Sequence, residues 1–209
     1  MQTLIKGIRG GGDAGEVSVK ATVGGSLHIA QMLPPGALLT AQGDSWTVIT
    51  TTAVAAIVDE PTVAALCTLY NGENGGGKSY VIDRIFAYQD ISAAAASRWA
   101  LWSCVHPVGT ALGANTITLK GSQRGVSNYG GNSRVAVGTT VTNDGWSPWS
   151  YALDVETTGI LGGSACSVDV LGLMVIPPSA AVSLHVVASS VDEDFCVGFH
   201  WHEVQLDLA

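Results

Sequence analysis

The stretch Gly72–Tyr88, GENGGGKSYVIDRIFAY, decides between two folds. Gly72 to Ser79 satisfy the G-x-x-x-x-G-K-S phosphate-loop pattern. A working phosphate loop is fed by a buried strand and opens a helix at its Lys-Ser, so that backbone N–H groups and the helix dipole face the phosphates. Val63–Tyr70, VAALCTLY, reads as the feeding strand. The helix is missing: Tyr80 to Tyr88 is rich in β-branched and aromatic residues, which favour a strand. No apolar strand ends in an acidic residue suited to Mg²⁺. The stretch is therefore read as a glycine-rich turn linking two antiparallel strands. On the second strand Tyr80, Ile82, Arg84, Phe86 and Tyr88 share one face, and Val81, Asp83, Ile85 and Ala87 share the other.

Outward from this strand the same texture continues in both directions. Short apolar or β-branched runs alternate with Gly, Asn, Ser and Pro punctuation. Expected strands are Glu16–Val23, Ser26–Leu33, Trp46–Val58, Val63–Tyr70, Ser79–Gln89, Trp99–His106, Thr116–Lys120, Arg134–Val141, Trp149–Glu156, Ser167–Ile176, Val182–Ala188 and Cys196–Asp207. Only Ser92–Leu101, SAAAASRWAL, has helical potential. Regular short strands without intervening helices predict an all-β protein, a jelly-roll-like antiparallel β-sandwich. Residues 1–45 differ in texture, with a Gly10-Gly11-Gly12 hinge and a Pro34-Pro35 turn. They are expected to form an extended N-terminal arm or hairpin, ahead of a sandwich domain at 46–209.

The composition narrows the function. Of 209 residues, 47% are apolar, an ordinary share, but only 12% are charged, about half the usual fraction. A surface so poor in charge suits a chain whose exterior is covered by other subunits. The net charge is −8 and the Lys and Arg residues are scattered, which argues against nucleic acid as a direct partner. No apolar run long enough for a membrane helix is present, because Pro177-Pro178 interrupts Val170–Val187. The opening residues lack the apolar core of a secretory signal. Cys67, Cys104, Cys166 and Cys196 stand singly in strand-like runs and are expected as buried free thiols.

Three constellations have residue types that could carry chemistry. In Phe199-His200-Trp201-His202-Glu203 the two histidines share a strand face, and His185 or His106 is a conceivable third ligand. The pattern departs from the H-x-H of cupins, whose Glu and further His lie downstream, so the expectation is no metal and no cofactor. Trp146, in GWSPWSY, and Tyr129, in the polar loop Gly121–Arg134, are candidates for stacking on a ligand such as a sugar, against a core role for such large rings. Asp192-Glu193-Asp194 reads as a solvated acidic turn. Neither G-x-S-x-G nor a protease-type cysteine is found, and the chain is expected not to be an enzyme.

Leu69–Gln89, LYNGENGGGKSYVIDRIFAYQ, and Val175–Val187, VIPPSAAVSLHVV, resemble segments of tailed-phage virion proteins of jelly-roll type. These are capsid decoration, head-fibre or tail-associated proteins. The resemblance implies a structural subunit made in the host cytoplasm and carried on the virion. It implies self-association, as a homotrimer or larger, and contact with other virion proteins such as the major capsid protein. It also implies an N-terminal segment reaching onto neighbours. The face Tyr80, Ile82, Arg84, Phe86 and Tyr88 is the expected interface. A lectin-like or receptor-binding module, and then a cupin-like metal protein using His185, His200 and His202, are the alternatives.

Overall fold

The computed structural model describes residues 36–92, 97–107, 117–118, 121–122, 132–154 and 163–206. A compact unit begins at Gly36. The expected boundary near Trp46 moves to Gly36 because residues 36–45 are bonded into the sandwich. Asp44 accepts a backbone hydrogen bond from Glu203, and Gly36 lies against the His202 ring. The expected strands Glu16–Val23 and Ser26–Leu33, and with them the arm or hairpin, lie outside the described residues.

A short helix, α1 (Ala37–Gln42), leads in. Gly36 and Gly43 flank it with φ of 80° and 90°, and Gly43 and Asp44 donate back to Thr40 and Leu39. This is a glycine C-cap of Schellman type. The strands follow as β1 (Ser45–Ile49), β2 (Val54–Ala55), β3 (Ala64–Asn71), β4 (Ser79–Ile91), β5 (Ser97–His106), β6 (Gly121–Ser122), β7 (Ser133–Thr140), β8 (Ser147–Asp154), β9 (Ala165–Ile176), β10 (Ala181–Ala188) and β11 (Asp194–Val204). One sheet runs β6-β1-β11-β4-β9, with β2 also on β11; the other runs β7-β3-β10-β5-β8. Each of these strands pairs with its neighbours antiparallel.

Setting aside the short β2 and β6 and the added β7, eight strands remain, and their order is that of a jelly roll. The first, eighth, third and sixth of them make one sheet, and the second, seventh, fourth and fifth the other. The core lies between the sheets. Phe195, Val197, Phe199 and Trp201 of β11 face Leu66 and Leu69 of β3 and Val182, Leu184 and Val186 of β10 in one cluster. Trp99 and Phe195 meet there with ring centroids 4.8 Å apart.

Several local expectations change. Trp46–Val58 is not one strand: the pairing with β11 breaks after Ile49 and resumes at Val54. Thr50 bridges part of the gap, its Oγ1 accepting from Val197 N–H at 3.1 Å. Ser97–Leu101 is strand rather than helix. Ile117 and Thr118, the described part of Thr116–Lys120, are not in a strand. The NGENGGGK turn is not a hairpin, because β3 and β4 belong to opposite sheets and the turn carries the chain between them.

The face Tyr80 to Tyr88 is also divided. Tyr80 and Ile82 point into the core, fully buried, as do Ile85 and Ala87, while Arg84 and Tyr88 are exposed and Phe86 is half-buried. The cause is a bulge: Asp83 has no partner in either flanking ladder, and one extra residue reverses the alternation. Tyr80 and Ile82 are thus core residues and not a docking face.

Candidate functional site

The outer face of the second sheet carries a chain of buried polar side chains. Four strands and one loop each contribute a residue. Thr139 Oγ1 of β7 lies 2.5 Å from Thr68 Oγ1 of β3, which lies 2.9 Å from Ser183 Oγ of β10. Ser183 Oγ lies 2.9 Å from His106 Nε2 of β5, and His106 Nδ1 lies 2.8 Å from Asp144 Oδ2 in the loop after β7. Neighbouring strands bring these residues together because each occupies an outward position on its own strand.

Ser183, His106 and Asp144 have the bonding order of a hydrolytic triad: hydroxyl to Nε2, and Nδ1 to carboxylate. Their surroundings are different from those of an active site. Ser183 is 0% exposed and His106 3%. Ser183 lies inside a central strand, in register with Thr68 on one side and Cys104 on the other, so the ladders occupy the nearby backbone amides. Its hydroxyl is also shared with Thr68. An acyl group needs a path to the nucleophile and free donors for its oxyanion; this conformation offers Ser183 neither. The arrangement ties β7, β3, β10 and β5 together and fixes the Val141–Trp146 loop over the sheet.

Trp146 closes that loop. Its ring sits edge-on to His106 and His185, at centroid distances of 6.5 and 6.4 Å, and its Nε1 donates to Thr62 O at 3.0 Å. It is 6% exposed, so the expected stacking platform is instead a cover over the polar chain. Tyr129 lies outside the described residues. His185 is buried among these groups, and burial lowers its pKa, with the Val186 backbone partly offsetting.

The chain matches no family model, no curated protein and no solved structure.

The other expected ligands do not converge. His185 belongs to β10 in one sheet, whereas His200 and His202 belong to β11 in the other. His202 Nδ1 is paired with the bulged Asp83, and its Nε2 lies 3.5 Å from Thr40 Oγ1 of α1. His200 stacks near Phe86 at 5.5 Å, and its pKa is lowered by burial and then by Arg84. Among the described residues no three His, Cys, Asp or Glu side chains are placed to hold a metal. Among the same residues no helix is long and apolar enough to cross a membrane.

Lys78 of the phosphate-loop pattern also has a local partner. Its Nζ lies 2.6 Å from Asp44 Oδ1, and this bond is the leading cause of its raised pKa. Gly76 alone in the turn has a positive φ, 83°, and the residues that follow are strand β4, so no helix N-terminus faces the loop. The four cysteines are free and buried. Burial pushes the Cys67 thiol up to about 12, which keeps it protonated and unreactive.

Glu193 corrects the acidic-turn reading. It is 0% exposed, and its Oε2 accepts from Gln89 Nε2 at 2.8 Å. Gln89 Oε1 in turn accepts from Ser164, whose hydroxyl accepts from Trp99 Nε1. The exposed apolar groups form a different feature. Tyr151 and Leu153 on β8 are 73% and 61% exposed; Leu171 and Leu173 on β9 are 81% and 78% exposed. β8 and β9 end their sheets and are neighbours across the sandwich.

Proposed function

We propose that this chain is a structural subunit: a jelly roll that associates with copies of itself, as a trimer, and covers or cements a tailed-phage particle beside its major capsid protein. In this reading it performs no chemistry. The observation that carries the proposal is the edge strand β9, which holds Leu171 and Leu173 almost wholly in solvent. Large apolar groups exposed side by side on an edge strand favour contact with another protein surface.

Leu171 adds a second argument. It has a φ of 50°, in the left-handed region, and Gly172 follows at 78°. A left-handed leucine costs about 1–2 kcal/mol. Here the strain raises an apolar side chain into solvent rather than burying it, which suits a contact made from outside. The same bulge interrupts the β9–β4 ladder between Met174 and Asp169. A bulged edge discourages open-ended strand pairing. It therefore favours closed side-chain contacts, as cyclic oligomers use. The charged share of 12% agrees with a largely covered exterior.

Light scattering on the untagged protein over a range of concentrations tests the proposal. The expected mass is constant at three times the chain mass of 21.4 kDa. The double variant Leu171→Asp, Leu173→Asp should give the single-chain mass with unchanged circular dichroism. A monomeric wild type at every concentration would remove the proposal. Detection of the chain on purified phage particles tests its location.

A further inference from the structure

Beside the polar chain, on the outward side of the second sheet, lies a groove of about 530 Å³. It is lined by Arg98 and Trp102 of β5, Tyr151 and Leu153 of β8, Val187 of β10 and the nearby Val58. The volume falls within the range of small-molecule sites. The registers give the groove a direction. Arg98 pairs with Leu153, Ala100 with Tyr151, and Trp102 with Pro148, so Arg98 marks one end and Trp102 the other. Four residues of strand separate these ends by about 13 Å.

Arg98 is chemically distinctive. Lys78 meets Asp44 and Arg84 meets Asp169, each at 2.6 Å. The Arg98 guanidinium meets no carboxylate among the described residues, although the chain carries a net charge of −8. Its backbone is fixed: its N–H donates to Ser189 Oγ at 3.1 Å, and its carbonyl accepts from Ser189 N–H at 3.2 Å. A strand-anchored arginine with no carboxylate partner among the described side chains therefore stands at the head of an apolar, aromatic-lined trough.

We propose that this groove binds a small amphiphilic anion: a carboxylate on an unbranched or aromatic apolar body about 13 Å long, matching the strand span. The carboxylate meets Arg98, whose planar fork suits two-point binding of such a group. The apolar body lies along Val187, Leu153 and the rings of Trp102 and Tyr151. This site is independent of the self-association proposed above, and the protein's mass alone does not decide it.

Dodecanoate and its uncharged methyl ester are the probes, titrated into wild type, Arg98→Gln and Val187→Asp by calorimetry below the micelle concentration. Saturable binding of one dodecanoate per chain is expected. Arg98→Gln should weaken dodecanoate about tenfold or more while leaving the ester little changed, since a bond to a charged group is being removed. Val187→Asp should weaken both. Equal affinity for acid and ester, or an Arg98→Gln variant that binds dodecanoate as wild type does, would overturn the proposal. So would a fall in oligomer mass on Arg98→Gln or Tyr151→Ser, because the groove would then be filled by a second copy. Circular dichroism of both variants separates loss of binding from loss of fold.

Discussion

Replacing Ser183 by alanine tests what the buried polar chain does. Ser183 Oγ bonds both His106 Nε2 and Thr68 Oγ1, at 2.9 Å each, in a position with 0% exposure. Thr68 keeps Thr139 as a partner when the serine hydroxyl is gone. His106 Nε2 keeps no other partner among the described residues, in a side chain only 3% exposed. One buried polar atom left unsatisfied costs about 1–3 kcal/mol. Loss of a single oxygen adds only a small cavity. The expected destabilisation is therefore about 1–3 kcal/mol, set by His106 rather than by Thr68.

The assay is urea unfolding followed by tryptophan fluorescence. The midpoint should drop with an unchanged slope, the signature of altered stability rather than altered compactness. A cycle with His106→Phe isolates the pair. Once His106 is gone, Ser183→Ala should cost less, giving a coupling of about 0.5–3 kcal/mol. A Ser183→Ala change below about 0.5 kcal/mol, the range of inert surface substitutions, would refute the reasoning. Covalent labelling of Ser183 by a fluorophosphonate would refute it from the other side, since the hydroxyl would then be both reachable and nucleophilic.

Gly198→Ala should cost about 3 kcal/mol or more, because a Cβ there would press into the Val48 carbonyl oxygen and the Phe86 ring well inside van der Waals contact; an unchanged unfolding midpoint would contradict this packing. His185 and His200 have pKa values lowered from the ordinary 6.5, so the fold holds them neutral while the unfolded chain protonates freely. That stability is present above the unfolded pKa and lost as pH falls below it, so the midpoint should decline between about pH 7 and pH 5, less steeply in His185→Phe. Lys78→Ala should cost under about 1 kcal/mol, because the Lys78–Asp44 pair has a lysine side chain 41% exposed. If wild type bound ATP and this variant did not, the phosphate-loop reading would return.

The strands were legible because their β-branched and aromatic runs are local signals. Val182–Ala188, Trp99–His106 and Arg134–Val141 lie within a residue or two of the observed β10, β5 and β7. The helix α1 had a readable stop, Gly43 after ALLTAQ, but a single turn and a half gives little periodicity to read. The polar chain was not legible at all. Ser183, His106 and Asp144 are far apart in sequence, and only the jelly-roll order puts β10 beside both β3 and β5. One trace existed: Ser183 and His185 are the polar residues in AVSLHVVA, a strand buried on both faces. Polar residues at alternate positions of such a strand must find partners. Glu193 left no such trace, because it lies in the turn before β11 and its neighbours Asp192 and Asp194 make it look like part of a solvated acidic turn.

Facing in β4 failed for a reason that reaches beyond one strand. A period-two pattern holds only while the ladder is unbroken. Nothing in Val81-Ile82-Asp83-Arg84-Ile85 announces a break, because Ile82 and Ile85 each look like core residues of an ordinary alternating strand. Only in the folded sheet does His202 of β11 meet the Asp83 carboxylate, where the chain leaves both ladders. With Asp83 displaced, Ile82 and Ile85 both turn inward and the core gains two fully buried isoleucines. The outward half that remains, Arg84, Phe86 and Tyr88, lies beside His200 and the edge strand β9, where Arg84 meets Asp169. An interface on this sheet must therefore be built from that half and from Leu171 and Leu173, and a contact requiring Tyr80 or Ile82 would require the sandwich to open.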